Sequence, residues 1–561
     1  MTHCLALKSG FIGFIAILLP GFADGATTKV TPTANLASYI AEADTAYRNL
    51  PASLSAYNSA VSKICNVMQA SPPKEFVTRL KMLGVFFSSP QIGLPLRHVQ
   101  VAAPVPASNE IPAGIPMVIG YETKTAPLYP PEGLFLDATA IYERSAGRPR
   151  FSILYQQTTA TLDGRTYPLA ANHAAAGEHL KLRAKHLAAS GFASMIRPFS
   201  MLRKPQIYLL DPYDPNKMPL LMVHGLQSTP VAFAGLVNAL RADPVVRSRY
   251  QIWQFYYASG TPVLVNAAAL RDSLTQTIHT LDPGDHDAGP KRIVVLGHSM
   301  GGVISHTLVS SSYNQVWASV FRVPPDQLKG DRNTIQELAH VLFFKRNPRV
   351  VRVIFMATPH RGSPMADSIV GFLGNSLTRL NPMLEHGFSQ LANANPGAMT
   401  PGAVTFYKGR FSAVRTLSPR STALIALSKL PIEVPYHSVI GQQHPGPKEQ
   451  GSDGVVPYWS SHLDRPQSEL IVRSGHGVFS NPDAVRETIR ILHVALRPTS
   501  LSKKSSNQGL PIVKHRPELP GKRPPLFAAN PAILAPFWIW DRSLRLPRAR
   551  FDWPRFRLDL R

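Results

Sequence analysis

Residues 293–302 read Ile-Val-Val-Leu-Gly-His-Ser-Met-Gly-Gly, and no other stretch constrains the fold as tightly. Four consecutive apolar residues, three of them β-branched, predict a short strand covered on both faces. The glycines that follow predict a sharp turn into a helix. Any side chain two residues from Ser299 would strike the adjoining strand or helix, so Gly297 and Gly301 flank it. The serine then projects from the end of a strand, which makes it a candidate nucleophile.

Similar apolar runs recur on either side. Ile207–Leu210, Leu220–Val223, Ile252–Tyr257, Val351–Met356, Tyr436–Ile440 and Leu470–Val472 are each bounded by turn residues and separated by helical stretches. Strands alternating with helices across residues 205–495 predict a doubly wound, mostly parallel α/β sheet. Residues 366–430 break the rhythm. Ile369, Val370, Phe372, Leu373, Leu377, Leu380 and Leu384 predict inserted helices, either a lid or plain packing helices.

A serine hydroxyl needs a base, and the base needs a carboxylate that fixes its tautomer. His476, in Ser474-Gly475-His476-Gly477, follows the last strand and is the candidate base. Asp453, in Ser452-Asp453-Gly454, follows the strand ending at Ile440 and is the candidate acid, with Asp367 and Asp464 as rivals. The developing oxyanion needs two backbone N–H groups. Met300 supplies one candidate. His224-Gly225-Leu226-Gln227 supplies the other, with Leu226 favoured, Gln227 as the alternative and His224 bracing the loop.

These segments, together with Ala357-Thr358-Pro359-His360-Arg361-Gly362-Ser363, resemble the bacterial lipase and esterase branch of the α/β-hydrolase superfamily. The Thr-Pro-His-Arg-Gly-Ser stretch is also similar to that of inositol deacylases acting on lipid anchors. The resemblance spans residues 205–495. It implies an α/β-hydrolase fold and hydrolysis of carboxylic esters through an acyl-serine, without a cofactor. Acyl transfer to an alcohol or lipid by the same triad, and a non-catalytic envelope binding protein on this scaffold, are the alternatives. Some secreted lipases of this type bind calcium through an Asp two residues after the catalytic His, where this chain has Val478. His360 and Arg361 either line the pocket or brace a loop. No H-E-x-x-H, C-x-x-C or phosphate-binding glycine loop points to a metal or nucleotide.

The flanks have a different composition. Lys8 precedes an apolar run, Phe11–Leu19, that is about half the roughly 18 residues needed to span a bilayer. Small residues at Ala23 and Gly25 suit cleavage of a signal peptide, residues 1–25; an uncleaved anchor is the alternative. Export to the periplasm, envelope or medium is expected. Cys4 would leave with the signal, and Cys65 alone forms no internal disulfide; a buried apolar role is expected for it. Residues 26–204 predict a smaller mixed region, helical from Asn35 to Met68 and then β-leaning, with strands at Val118-Ile119 and Phe151–Tyr155. Part of the net charge of +25 comes from residues 501–561, with 13 basic and 4 acidic residues. Residues 496–561 read as a disordered, Pro-rich basic tail. Its Phe537, Trp538, Trp540, Trp553 and Phe556 suit contact with an anionic membrane surface. No nucleic-acid motif accompanies the charge.

Overall fold

The computed structural model describes residues 35–105, 111–183, 204–366, 382–407 and 413–497. The expected signal segment, the basic tail beyond residue 497, Asp367 and the insertion residues Ile369, Val370, Phe372, Leu373, Leu377 and Leu380 lie outside these residues. Among the described residues no helix is long and apolar enough to cross a membrane.

The N-terminal region begins with helices Leu36–Arg48, Leu54–Gln69 and Pro73–Met82. The helical run expected from Asn35 to Met68 is therefore two helices, parted around Pro51, whose ring cannot continue a helix. Five strands follow: β1 (Phe86–Ser88), β2 (Leu96–Val101), β3 (Ile115–Tyr121), β4 (Leu134–Ser145) and β5 (Arg148–Tyr155). They form a sheet in the order β1-β5-β4-β3-β2, antiparallel except for the β1–β5 pair. A hairpin of β6 (Thr159–Leu162) and β7 (Arg165–Pro168) follows. The helices cover one face of the sheet. Tyr57, Ile64, Cys65, Met68 and Phe76 pack there with Met117, Ile119, Phe151 and Ile153. The Tyr57 hydroxyl donates to the Tyr142 carbonyl (2.7 Å) and accepts from its amide (3.0 Å), so this buried phenol is fully satisfied. Cys65 is fully buried, and burial pushes its thiol far above the usual range.

The second sheet has seven strands: β8 (Gln206–Leu209), β9 (Met218–Val223), β10 (Tyr250–Tyr256), β11 (Ile293–His298), β12 (Val350–Met356), β13 (Tyr436–Gly441) and β14 (Ser468–Val472). Their order is β14-β13-β12-β11-β9-β10-β8, parallel throughout except for β8. Alternate residues face opposite layers. Leu221, Val223, Val295, Val353 and Phe355 enter one core, and Leu220, Met222, Val294, Leu296, Ile354 and Met356 enter the other. A strand with both faces buried must be apolar at every position, which explains the uninterrupted runs in β9 and β11. This is the doubly wound, mostly parallel α/β architecture that the alternating apolar runs predict.

After β9 the chain steps outward to β10, then returns across β9 to β11 and proceeds the other way. The carboxyl ends of β9 and β11 therefore mark a topological switch point, the place where open α/β sheets bind ligands. The described part of the expected insertion is helical: Pro382–Ala394, Pro401–Tyr407, Ala413–Thr416 and Thr422–Ser428. Leu391, Ala403, Val414, Leu424 and Leu427 pack into the larger core with Trp317 and Phe321. The Val263 and Ser363 amides donate to Thr416 Oγ1 (3.2 Å) and the Leu417 carbonyl (2.9 Å), anchoring the insertion to the loops after β10 and β12.

Candidate active site

The turn from β11 into the helix Met300–Val309 places Ser299 at φ 54°, ψ −127°, a conformation that costs energy for any residue with a side chain. Neighbouring atoms leave the turn little room to relax. The Ser299 amide donates to the Met356 carbonyl (2.8 Å), and its own carbonyl accepts from the Gly302 amide (2.9 Å). A methyl group on Gly297 would lie 2.6 Å from the Gly302 Cα. One on Gly301 would overlap the carbonyls of Val223 and His224, and one on Gly302 would overlap the Thr358 side chain. The glycines are thus required by the crossing of helix and strands, as the sequence pattern predicts.

His476 follows β14. Its Nε2 is 2.8 Å from Ser299 Oγ, and its Nδ1 is 2.7 Å from Asp453 Oδ2. The other carboxylate oxygen, Oδ1, accepts from the amides of Val455 (2.8 Å) and Val456 (2.7 Å). A carboxylate so occupied presents one acceptor to the imidazole, so Nδ1 carries the proton. Nε2 then faces the serine hydroxyl as an acceptor. Asp453 and Ser299 are buried, while the His476 side chain is 24% exposed. The rival Asp464 has an exposed side chain and pairs with His462 Nε2 at 3.5 Å, away from His476.

The turn carrying Asp453 is held from the side by the loop after β12. The His360 amide donates to the Ser460 carbonyl (3.1 Å), and Arg361 Nη1 donates to the carbonyls of Trp459 (2.8 Å) and His462 (2.6 Å). Ser363 Oγ donates to the Val455 carbonyl (2.5 Å). Of the two roles open for His360 and Arg361, the geometry is that of bracing. The His360 ring is buried against Phe355 and His306, with centroids 4.6 and 5.7 Å away.

The loop after β9 passes directly over the nucleophile. A methyl group on Gly225 would lie 2.9 Å from Ser299 Cβ and 3.0 Å from His298 Nδ1. Leu226 follows in this loop, half-buried, and Gln227 adopts φ 55° and is exposed. Met300 opens its helix, where backbone amides lack intrahelical acceptors. Neither the Leu226 nor the Met300 amide has a protein acceptor among the described residues. His224 steadies the loop. Its carbonyl accepts from the Tyr257 hydroxyl (2.5 Å), and its ring stacks on Tyr257 at 4.1 Å. Burial pushes its pKa down to about 4, so it is neutral and separate from the base.

One contact has no signature in the sequence. His298, the middle residue of the first Gly-x-Ser, donates from Nε2 to the carbonyl of His476 at 2.8 Å. Val478, two residues after His476, is buried in the apolar core with Val472 and Ala484. Among the described residues no group of three or more His, Cys, Asp or Glu side chains is arranged to hold a metal ion.

No family model and no curated protein matches the chain. Solved structures similar to it include the mature form of the lipase BlEst2 from Bacillus licheniformis. It is 16% identical, the match covers 52% of this chain and 99% of that one, and the TM-score is 0.31. Lipase 1 from Pelosinus fermentans is 14% identical over 50% of this chain and 98% of its own, with a TM-score of 0.31. EstA from Clostridium botulinum is 13% identical over 49% of this chain and 87% of its own, with a TM-score of 0.30.

Proposed function

We propose that this protein is a serine hydrolase that cleaves carboxylic esters through an acyl-serine intermediate. The observation that carries the proposal is the unbroken line Asp453–His476–Ser299, with steps of 2.7 and 2.8 Å. His476 Nε2 takes the Ser299 proton as Oγ attacks the ester carbonyl. Asp453 stabilises the imidazolium that results. The amides of Met300 and Leu226 receive the negative charge that develops on the carbonyl oxygen. His476 then protonates the departing alcohol. Water, deprotonated by the same ring, releases the acid and restores Ser299.

The test is hydrolysis of p-nitrophenyl esters of several chain lengths by the wild type and by Ser299→Ala. Loss of turnover in the variant, with a fluorophosphonate probe bound covalently to Ser299 in the wild type, is the expected result. A Ser299→Ala protein that turns over at the wild-type rate would refute the assignment. A competing alcohol in the same assay separates hydrolysis from acyl transfer by its product.

A further inference from the structure

The base of this triad sits between two glycines. Gly475 and Gly477 flank His476, and glycine gives up more conformational freedom on folding than any other residue. Its ring is held by Asp453 and Ser299, but a ring can meet both partners only if the backbone beneath it stays in place. The carbonyl of His476 accepts one hydrogen bond in the described structure, from His298 Nε2 at 2.8 Å. Residues 298 and 299 are consecutive, so one dipeptide grips the base at two points. His298 holds its carbonyl, and Ser299 meets its ring.

We propose that His298 is a positioning residue for the general base, tying the His476 backbone to the turn that carries the nucleophile. This inference rests on the triad reading above and deepens it. The surroundings of His298 suit the role. Its ring is wedged between two loops: it lies 4.9 Å from the His476 ring and meets Phe479 of the same segment edge-on at 4.8 Å, and it abuts Gly225 of the loop above the serine. Phe479 is backed by Phe233 at 5.3 Å. Donation to a carbonyl places the proton on Nε2 and leaves Nδ1 bare against Gly225. Burial, and next the neighbouring His476, push the His298 pKa down to about 3. The ring therefore stays a neutral donor and does not compete for the serine proton.

Three variants separate donation from packing. His298→Phe keeps an aromatic ring against Phe479 and removes the donor. His298→Gln places an amide N–H at a reach close to that of Nε2. His298→Asn carries a donor that falls short. Hydrogen exchange of the peptide spanning residues 473–481 is measured together with kcat, KM and thermal stability. For Phe and Asn, exchange is expected to quicken about tenfold at unchanged global stability. Their kcat should fall about 10- to 100-fold with KM nearly constant, the signature of a misplaced base. Gln should restore both quantities to within a few fold.

Wild-type exchange protection in the Phe variant would overturn the inference, whatever its activity. Equal loss of activity in Phe and Gln without faster exchange would also overturn it and assign the ring to packing alone. Exchange does not depend on turnover. A failure of the Ser299→Ala test would therefore count against the triad and leave this measurement standing.

Discussion

The amide of Leu209 donates to the carbonyl of Leu128 over 2.8 Å, joining the edge strand of the seven-stranded sheet to the N-terminal region. The Gln206 side chain also reaches the Pro127 carbonyl, and Lys217 Nζ donates to Gln156 Oε1 at 2.8 Å. A bare edge strand is a template for aggregation. A fragment beginning at residue 204 is therefore expected to aggregate at concentrations where the chain with both regions stays dispersed. Light scattering of the two proteins checks this, and a monodisperse, folded fragment would rule it out.

Asp453→Asn should preserve the turn, because Oδ1 can still accept from Val455 and Val456. The amide nitrogen then faces His476 Nδ1 and favours the wrong tautomer. A drop in kcat of about 10³- to 10⁴-fold is expected, with KM little changed. Steady-state kinetics on a p-nitrophenyl ester measures it, and a loss under tenfold would show that the carboxylate is dispensable.

Acid should destabilise the protein well before the carboxylates titrate. Burial lowers His224 and His306 from 6.5 to about 4 and holds His360 well below its usual value. Between those limits the unfolded chain binds protons that the folded protein excludes. Stability is thus complete above pH 6.5 and falls as pH drops toward 4, by about 3 kcal/mol for each of the His224 and His306 protons. Among the described residues neither ring nitrogen of His360 has a partner. His360→Leu should accordingly keep wild-type stability at pH 8 and flatten the loss between pH 6.5 and 4. Urea denaturation across that range tests both expectations.

Asp137 runs in the opposite direction. It lines a cavity of about 40 Å³ between the N-terminal sheet and the start of β10, together with His173, Arg241 and Arg247. Burial raises its carboxyl from 3.8 to about 6, against the pull of Arg241. The folded state binds this proton more tightly than the unfolded state does, so the contribution is present below pH 3.8 and is lost as pH rises through 6. Asn mimics the neutral acid, and its oxygen can keep the 2.6 Å bond from the Ala176 amide. Asp137→Asn should gain about 3 kcal/mol at pH 8 and nothing near pH 4. Equal denaturation midpoints at pH 8 would contradict it.

Much of the site was legible because its determinants are local. The apolar run into Gly297 specifies a buried strand and a tight turn without reference to distant residues. The glycines of the turn and the chain order of Ser299, Asp453 and His476 follow from the way this sheet is wound. Other features were not legible. β4, the longest strand of the N-terminal sheet, interrupts its apolar pattern with Asp137 and Thr139, so it lacks the continuous run that marked β9 and β11. The sequence favoured Asp453 over Asp464 by its place after a strand, and the structure adds that Asp453 is buried against His476 while Asp464 is exposed.

By itself the sequence determined that a serine would stand at the end of a buried strand, because strand, turn and helix there are dictated by neighbours within a few residues. The tertiary structure alone decided what holds its partners. The grip of His298 on the His476 carbonyl spans 178 residues, and the brace of Arg361 on the acid turn spans about a hundred. Such contacts depend on strand register and loop path, which no short window of residues encodes.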